Sequence, residues 1–357
     1  VTAPLVGAIG NINSPLLDLP LNNNLSMKSG VGSVTFSRAT TATYIDRYGV
    51  LKHAGIDEPR FEKDGLLIEG ASTNELKYSE DLTNAVWGKS NITVTNQGGG
   101  ITRLTATLDN GTIVQNPTTY NTTDIFTNSF YARKISGSGV ITTFYPAGGP
   151  VVTNLTSEFQ KISQSGVQVD SAGRYYFVLQ TSGDVIEVRG CQVEQLPFAS
   201  SYIPTTTSAV TRSGDVCSVT FANNAPLQTE AITVLCDFEM FGRVSTNRAW
   251  QISGLTNALV QPANDTVMYG FYGSGFTPQD WEANVSMRHG VIFDGVNLLN
   301  SKDGIQTPSA VVSAPIGTPT LIGIGGSGDH GIFNMYGHIK NFKIYDKSLS
   351  AVEVSLA

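Results

Sequence analysis

Charge is scarce in this chain. Asp, Glu, Lys and Arg make up 14% of 357 residues, and 22 Lys plus Arg against 29 Asp plus Glu leave a formal charge of −7. The basic residues form no run, so the clustered positive surface that a phosphate backbone needs is missing and a nucleic-acid partner is disfavoured. Only three cysteines occur, Cys191, Cys217 and Cys236, too scattered for a disulfide framework or a zinc site, and they are expected as buried thiols of a protein that folds in a reducing cytosol. No apolar run reaches the ~18 residues of a spanning helix, so membrane insertion is not expected. The amino-terminal string VTAPLVGAIGNINSPLLDLPL lacks the charged start and long apolar stretch of a secretory signal, which predicts no export by that route.

What is abundant is turn and strand chemistry. With 37 Gly and 15 Pro and much of the remainder Thr, Ser, Val and Ile, the composition favours strands and turns over helices. Short β-type runs separated by turns about every ten residues fill two stretches, the spacing of a sandwich. The first series lies between Tyr78 and Thr205, where Tyr175, Phe177 and Leu179 share one face and Glu187 and Arg189 oppose Ile186 and Val188. Leu196-Pro197 and Ile203-Pro204 followed by a Thr run mark a linker, after which a second series runs to Tyr345. The only helix expected is one short turn near the carboxyl end, where Ser350 and Glu353 are spaced for a capping box. The expected fold is therefore all-β: two β-sandwich (jelly-roll) domains at 78–207 and 208–357, preceded by an extended arm and β framework at 1–77. In that arm Leu16 to Leu21 reads as an edge strand, where Pro20 is tolerated. It either docks on another molecule or completes a sandwich of its own subunit.

The most telling string is FSRATTATYIDRYGVLKHAGIDEPRFEKDGLLIEGASTN, Phe36 to Asn74, which joins short strands by turns such as Asp46-Arg47-Tyr48-Gly49. It resembles a module of tailed-bacteriophage virion proteins. The pieces YSEDLTNAVW, SFYARKISGSG, LTSEFQKIS and GCQVEQLPFASSYIPTT resemble a carbohydrate-binding-module-like jelly roll found in phage tail and head-fibre proteins. GHIKNFKIYDKSLSAVEV resembles the end of a concanavalin-A-like or laminin-G-like sandwich. The resemblance implies a non-enzymatic virion protein, assembled in the host cytoplasm, of tail-fibre or head-appendage type. Its arm would grip other virion proteins, its second sandwich would meet a host-surface polysaccharide or receptor through distal loops, and its copies would self-associate, with a trimer favoured. The alternative is a purely architectural decoration or connector protein. A third reading is a capsule-degrading glycosidase.

Motifs that could carry chemistry are few. Gly323 to Gly328 satisfies Gly-x-Gly-x-x-Gly, but no helical pattern follows and a turn between strands is the better reading. Asp237-Phe238-Glu239 places two carboxylates on one strand face, yet the third acid expected of glycosidases built on the concanavalin-A-like fold is missing; a solvated face competes with catalysis. The histidines His53, His289, His330 and His338 stand in separate contexts, as isolated surface or turn residues. No cofactor is expected. Asp265, Asp280, Asp294 and Asp303 could offer Ca²⁺ oxygen ligands, but without EF-hand-like spacing, and turn Asp more commonly bonds its own backbone. No metal ligand and no catalytic residue is assigned. Trp87 and Phe159 are expected as core anchors. Sugar recognition needs exposed aromatic faces beside fixed polar groups, and the densest aromatic stretch is Met268 to Trp281. With Tyr269 and Phe271 placed in the core, Tyr272, Phe276, Asp280 and Trp281 form the candidate glycan platform; burial in the core or at a subunit interface is the competing reading.

Overall fold

The computed structural model describes residues 14–116, 123–145, 149–167, 174–244, 246–329 and 333–357. The chain is all-β and divides into two compact units, one of Val1–Ala39, Ile45–Gly70 and Gly214–Ala357, the other of Thr40–Tyr44 and Ala71–Ser213. Among the described residues the single helix is Ala351–Leu356. It carries the expected capping box: the Ser350 hydroxyl takes the Glu353 N–H and the Glu353 carboxylate takes the Ser350 N–H. That N–H, together with Lys347, holds the Glu353 carboxyl down at about 2. No described helix is long and apolar enough to cross a membrane.

The second unit is a sandwich of two five-stranded sheets. One runs in the order Gln160–Val167, Ile125–Ser136, Val185–Glu194, Ile101–Ala106, Ile92–Gly98, and the other Gly149–Asn154, Val140–Tyr145, Tyr175–Leu179, Gly111–Gln115, Gly88–Ser90. Alternation fixes the faces: Tyr175, Phe177 and Leu179 turn inward to meet Leu104, Ile186 and Val188. Phe130 stacks on Phe177 at 5.0 Å, and Trp87, 2% exposed, meets Tyr175 edge-on at 5.8 Å. Phe159 differs from expectation. It is half-buried, with the guanidinium groups of Arg133 and Arg189 over its ring at 4.7 and 4.3 Å, because it precedes its strand and faces outward. The closing string packs on the end of the first string through buried polar atoms. Asn74 donates to the carbonyls of Cys191 and Ile203, and the Glu194 carboxylate accepts from the hydroxyls of Ser72 and Ser200.

The first unit is also a sandwich. Its seven-stranded sheet runs Thr35–Ser37, Val216–Thr220, Gly317–Ile324, Trp250–Leu255, Ala258–Pro262, Val267–Tyr272, Gly275–Asp280. Its nine-stranded sheet follows the path Ile305–Gln306, Asn297–Lys302, Met287–Phe293, Ile232–Met240, Gly337–Tyr345, Gly65–Ile68, Arg60–Glu62, with Leu17–Leu19 added beside Gly337–Tyr345 and Ala310–Val311 beside Asn297–Lys302. Core residues from both sheets, Trp250, Ile252, Ile322, Val234, Val291 and Phe342 among them, are all but inaccessible. This arrangement replaces the expected separate arm and framework over 1–77. Leu17 and Leu19 are fully buried against Gly337–Tyr345 in antiparallel register, so the Leu-rich run completes its own sandwich; the part of that arm before residue 14 lies outside the described residues.

The charged residues of the Phe36–Asn74 string explain why that string holds together. Arg38 reaches Asp215 at 3.1 Å, and Arg60 bridges Asp215 at 2.6 Å and Glu69 at 2.7 Å, all with side chains closed to solvent. Asn334 ties the carbonyls of Glu69 and Asp215 together. Burial penalises the Arg60 cation, but Asp215 and Glu69 outweigh that and raise its pKa further. Two guanidinium groups against two carboxylates neutralise each other where single buried charges would be costly.

Candidate functional site

The strands Val267–Tyr272 and Gly275–Asp280 form a hairpin at the edge of the seven-stranded sheet, with Phe271 opposite Phe276 and Tyr269 opposite Pro278. The aromatic stretch Met268 to Trp281 is therefore mostly regular strand. Side chains alternate across the sheet, and Met268, Gly270 and Tyr272 face inward while Tyr269 and Phe271 face outward. The outward rings meet: Tyr269 lies 5.7 Å from Phe271 and 4.5 Å from Phe276, and Phe271 lies 5.3 Å from Phe276. Phe276 is 49% exposed.

The four sequence-assigned platform residues separate. Tyr272 is 1% exposed, packs on the Phe293 ring and donates its hydroxyl to the Gln228 carbonyl, and burial raises its pKa. Trp281 is 4% exposed and donates its indole N–H to the Asn264 carbonyl at 2.8 Å. Both belong to the core side, which corrects their assignment as exposed ligands. Asp280 is exposed at the strand end, and Phe276 keeps its place on the outer face. Tyr269 and Phe271, assigned to the core, are the two rings that join it. The alternation is as expected but the two faces are exchanged, because each face carries large apolar side chains. The deciding signal was Gly270. A Cβ there would sit 2.2 Å from the Asn300 amide oxygen, and a glycine inside a strand marks the side where another group approaches closely. Asn300 fills that space and donates to the Thr277 carbonyl.

The remaining motifs resolve as follows. Asp237 accepts from Arg288 at 2.8 Å and from the Asn341 amide at 2.7 Å, whereas Glu239 lies across from His338. The two carboxylates thus have separate partners. Asp294 accepts from the backbone of Val296 and Asn297, the local bonding expected of turn Asp, whereas Asp303 accepts from the Arg288 N–H of another strand. The glycine string follows the strand Gly317–Ile324 without a helix among the described residues, and Gly325 donates to the Ala249 carbonyl. All three cysteines are free and buried. His53 is exposed, His330 lies outside the described residues, and two histidines depart from the expectation of surface or turn positions. His289 is fully buried with neither ring nitrogen hydrogen-bonded, and burial drives its pKa from 6.5 to about 3. His338 is 7% exposed on the nine-stranded sheet. Its carboxylate neighbours are separated from it by up to 276 positions in sequence, so no local spacing could have revealed them.

No protein-family profile and no curated protein sequence matches the chain. Solved structures similar to it include the binding domain of Paraclostridial Mosquitocidal Protein 1 (10% identity, TM-score 0.30, 42% of each chain). A Trypanosoma rangeli sialidase in complex with sialic acid aligns at 9% identity and TM-score 0.33, over 74% of this chain and 52% of the sialidase. The tandem CBM22-1-CBM22-2 domain of Paenibacillus barcinonensis Xyn10C aligns at 10% identity and TM-score 0.28, over 79% and 100%. The chain thus spans about half or less of the first two. These neighbours include binding and carbohydrate-binding-module domains, and similarity at this level carries no argument about what the chain does.

Proposed function

We infer that the chain is a non-enzymatic binding protein whose outward ring cluster docks a glycan or receptor on a cell surface. The observation that carries this reading is the cluster of Tyr269, Phe271 and Phe276 on the solvent side of a sheet edge, with Phe276 49% exposed although the core of the same unit buries Trp250, Trp281 and Tyr272. Adjoining aromatic faces match the apolar face of a pyranose, and the polar atoms beside them can take its hydroxyls. In favour of a non-enzymatic role, the candidate acid pair is split between an arginine and a histidine. The finer reading is a tailed-bacteriophage virion protein of tail-fibre or head-appendage type that contacts host-surface polysaccharide. It is supported by the Phe36–Asn74 and Gly190–Thr206 strings, and multiple copies on a particle would turn weak single sites into avid binding.

The test is a glycan array probed with the multimerised full chain and with Phe276→Ala, which removes an exposed ring and leaves the fold intact. Loss of one stacking contact is expected to weaken binding by about tenfold. Absence of any glycan binding at high avidity would favour the architectural reading, in which the same rings meet another subunit. Release of reducing ends from host polysaccharide would restore the glycosidase. Electron microscopy of a labelled particle would test the virion assignment itself.

A further inference from the structure

We propose that Asp64, Glu239 and His338 form a binding site for a divalent transition-metal ion on the outer side of the nine-stranded sheet, away from the ring cluster. One ligand atom from each of the three lies within 4.8 Å of the other two. The site is assembled from three chain segments. Asp64 sits in the turn between Arg60–Glu62 and Gly65–Ile68, Glu239 lies near the end of Ile232–Met240, and His338 opens the strand Gly337–Tyr345 directly across from Glu239.

An acidic cluster alone would say little, and the imidazole supplies the independent observation. Glu62 fixes its ring. One Glu62 carboxylate oxygen accepts the Ile45 N–H at 2.7 Å and the other faces His338 Nε2 at 2.9 Å. A carboxylate oxygen accepts, so Nε2 is the donor in this pair, and the neutral ring then keeps its lone pair on Nδ1. That Nδ1 is buried and without a hydrogen-bond partner, and a Glu239 carboxylate oxygen stands 3.9 Å away. This separation is too long for a hydrogen bond. It is shorter than two metal–ligand bonds of about 2.0–2.2 Å laid end to end, so one ion can touch both atoms. A histidine whose far nitrogen is held by a carboxylate while the near one faces further carboxylates is the arrangement by which proteins orient metal-binding imidazoles. Phe241 closes one side of the ring edge-on at 5.3 Å, and the exposed Asp64 leaves the entry open. One imidazole with two carboxylates suits Zn²⁺ or Mn²⁺ better than Ca²⁺, whose sites are all oxygen.

Full-length protein, stripped with chelator and titrated calorimetrically with ZnCl₂, is expected to bind one ion per chain at this site. Asp64→Asn, in an exposed turn, should fold normally and bind at least tenfold more weakly, as should Glu239→Gln. Glu62→Gln should cost about ten- to a hundredfold through misorientation of the ring. On zinc addition the ¹⁵N resonance of His338 Nδ1 should shift while Nε2 stays protonated. The proposal is overturned if wild-type protein shows no saturable binding, if Asp64→Asn and Glu239→Gln bind with wild-type affinity, or if the His338 ring carries protons on both nitrogens in saturating zinc, which would make it a plain cation between carboxylates.

Discussion

His289 should act as a pH-dependent load on the first unit, and its size follows from its surroundings. The ring lies in the strand Met287–Phe293, opposite Cys236 and Lys302, near the Phe238 ring, and makes no hydrogen bond through either nitrogen. Burial lowers its pKa from 6.5 to about 3. Between those values the unfolded chain takes up a proton that the folded chain refuses, so the unfolded state binds more protons and stability rises with pH. The contribution is neutral above pH 6.5 and grows as pH falls, at about 1.4 kcal/mol per unit, reaching about 2 kcal/mol lost by pH 5. Carboxylates held low, such as Glu353 at about 2, lose their contribution only from the ordinary carboxylate pKa downward, and the other titrating groups are shared by wild type and variant, so their difference between pH 7 and 5 reports His289. Urea denaturation followed by tryptophan fluorescence, run at pH 7, 6 and 5 on wild type and on His289→Leu, measures the difference. The leucine variant should lose about 2 kcal/mol less than wild type over this span. Equal losses in both proteins would refute the assignment of a buried, neutral imidazole.

Asp215→Asn removes the carboxylate that pairs with both Arg38 and Arg60; removing one member of a buried ion network costs about 3–5 kcal/mol, so the urea midpoint should fall steeply, and a loss under about 1 kcal/mol would contradict the network's role. Gly270→Ala would drive a methyl group into the Asn300 amide and should destabilise by about 1–3 kcal/mol, with a matching loss of glycan binding as Tyr269 and Phe271 shift; an unchanged melting temperature would show that the hairpin faces the other way.

The all-β fold was legible because composition, turn spacing and two-residue alternation all pointed one way. Turn spacing placed both strand series, and the Ser350–Glu353 box identified the helix. The expected separation of an arm and framework at 1–77 failed for a different reason. Leu17–Leu19, expected as an edge strand, and Gly65–Ile68 both pair with Gly337–Tyr345, and pairing at that distance leaves no trace in local pattern. The polar residues of the opening string gave the better clue. The Phe36–Asn74 string is rich in charge where the chain as a whole is not, and its Arg38 and Arg60 meet Asp215 far along the sequence.

The two candidate sites differ in how far sequence could reach them. The ring cluster lies on one hairpin, so its residues were in view from the start. Both faces of Val267–Tyr272 are apolar, so periodicity sorts Tyr269 and Phe271 from Met268 and Tyr272 without saying which pair meets solvent. A single glycine broke the tie, since only the inner face has Asn300 pressing on it. The Asp64–Glu239–His338 cluster shows the opposite case. Its members are ordinary surface-type residues in three unrelated contexts, and only the register that sets Glu239 across from His338 and the turn that carries Asp64 beside them bring them together. A site assembled by sheet pairing alone can be read only after the pairing is known, whereas a site on one hairpin needs only the correct choice of face.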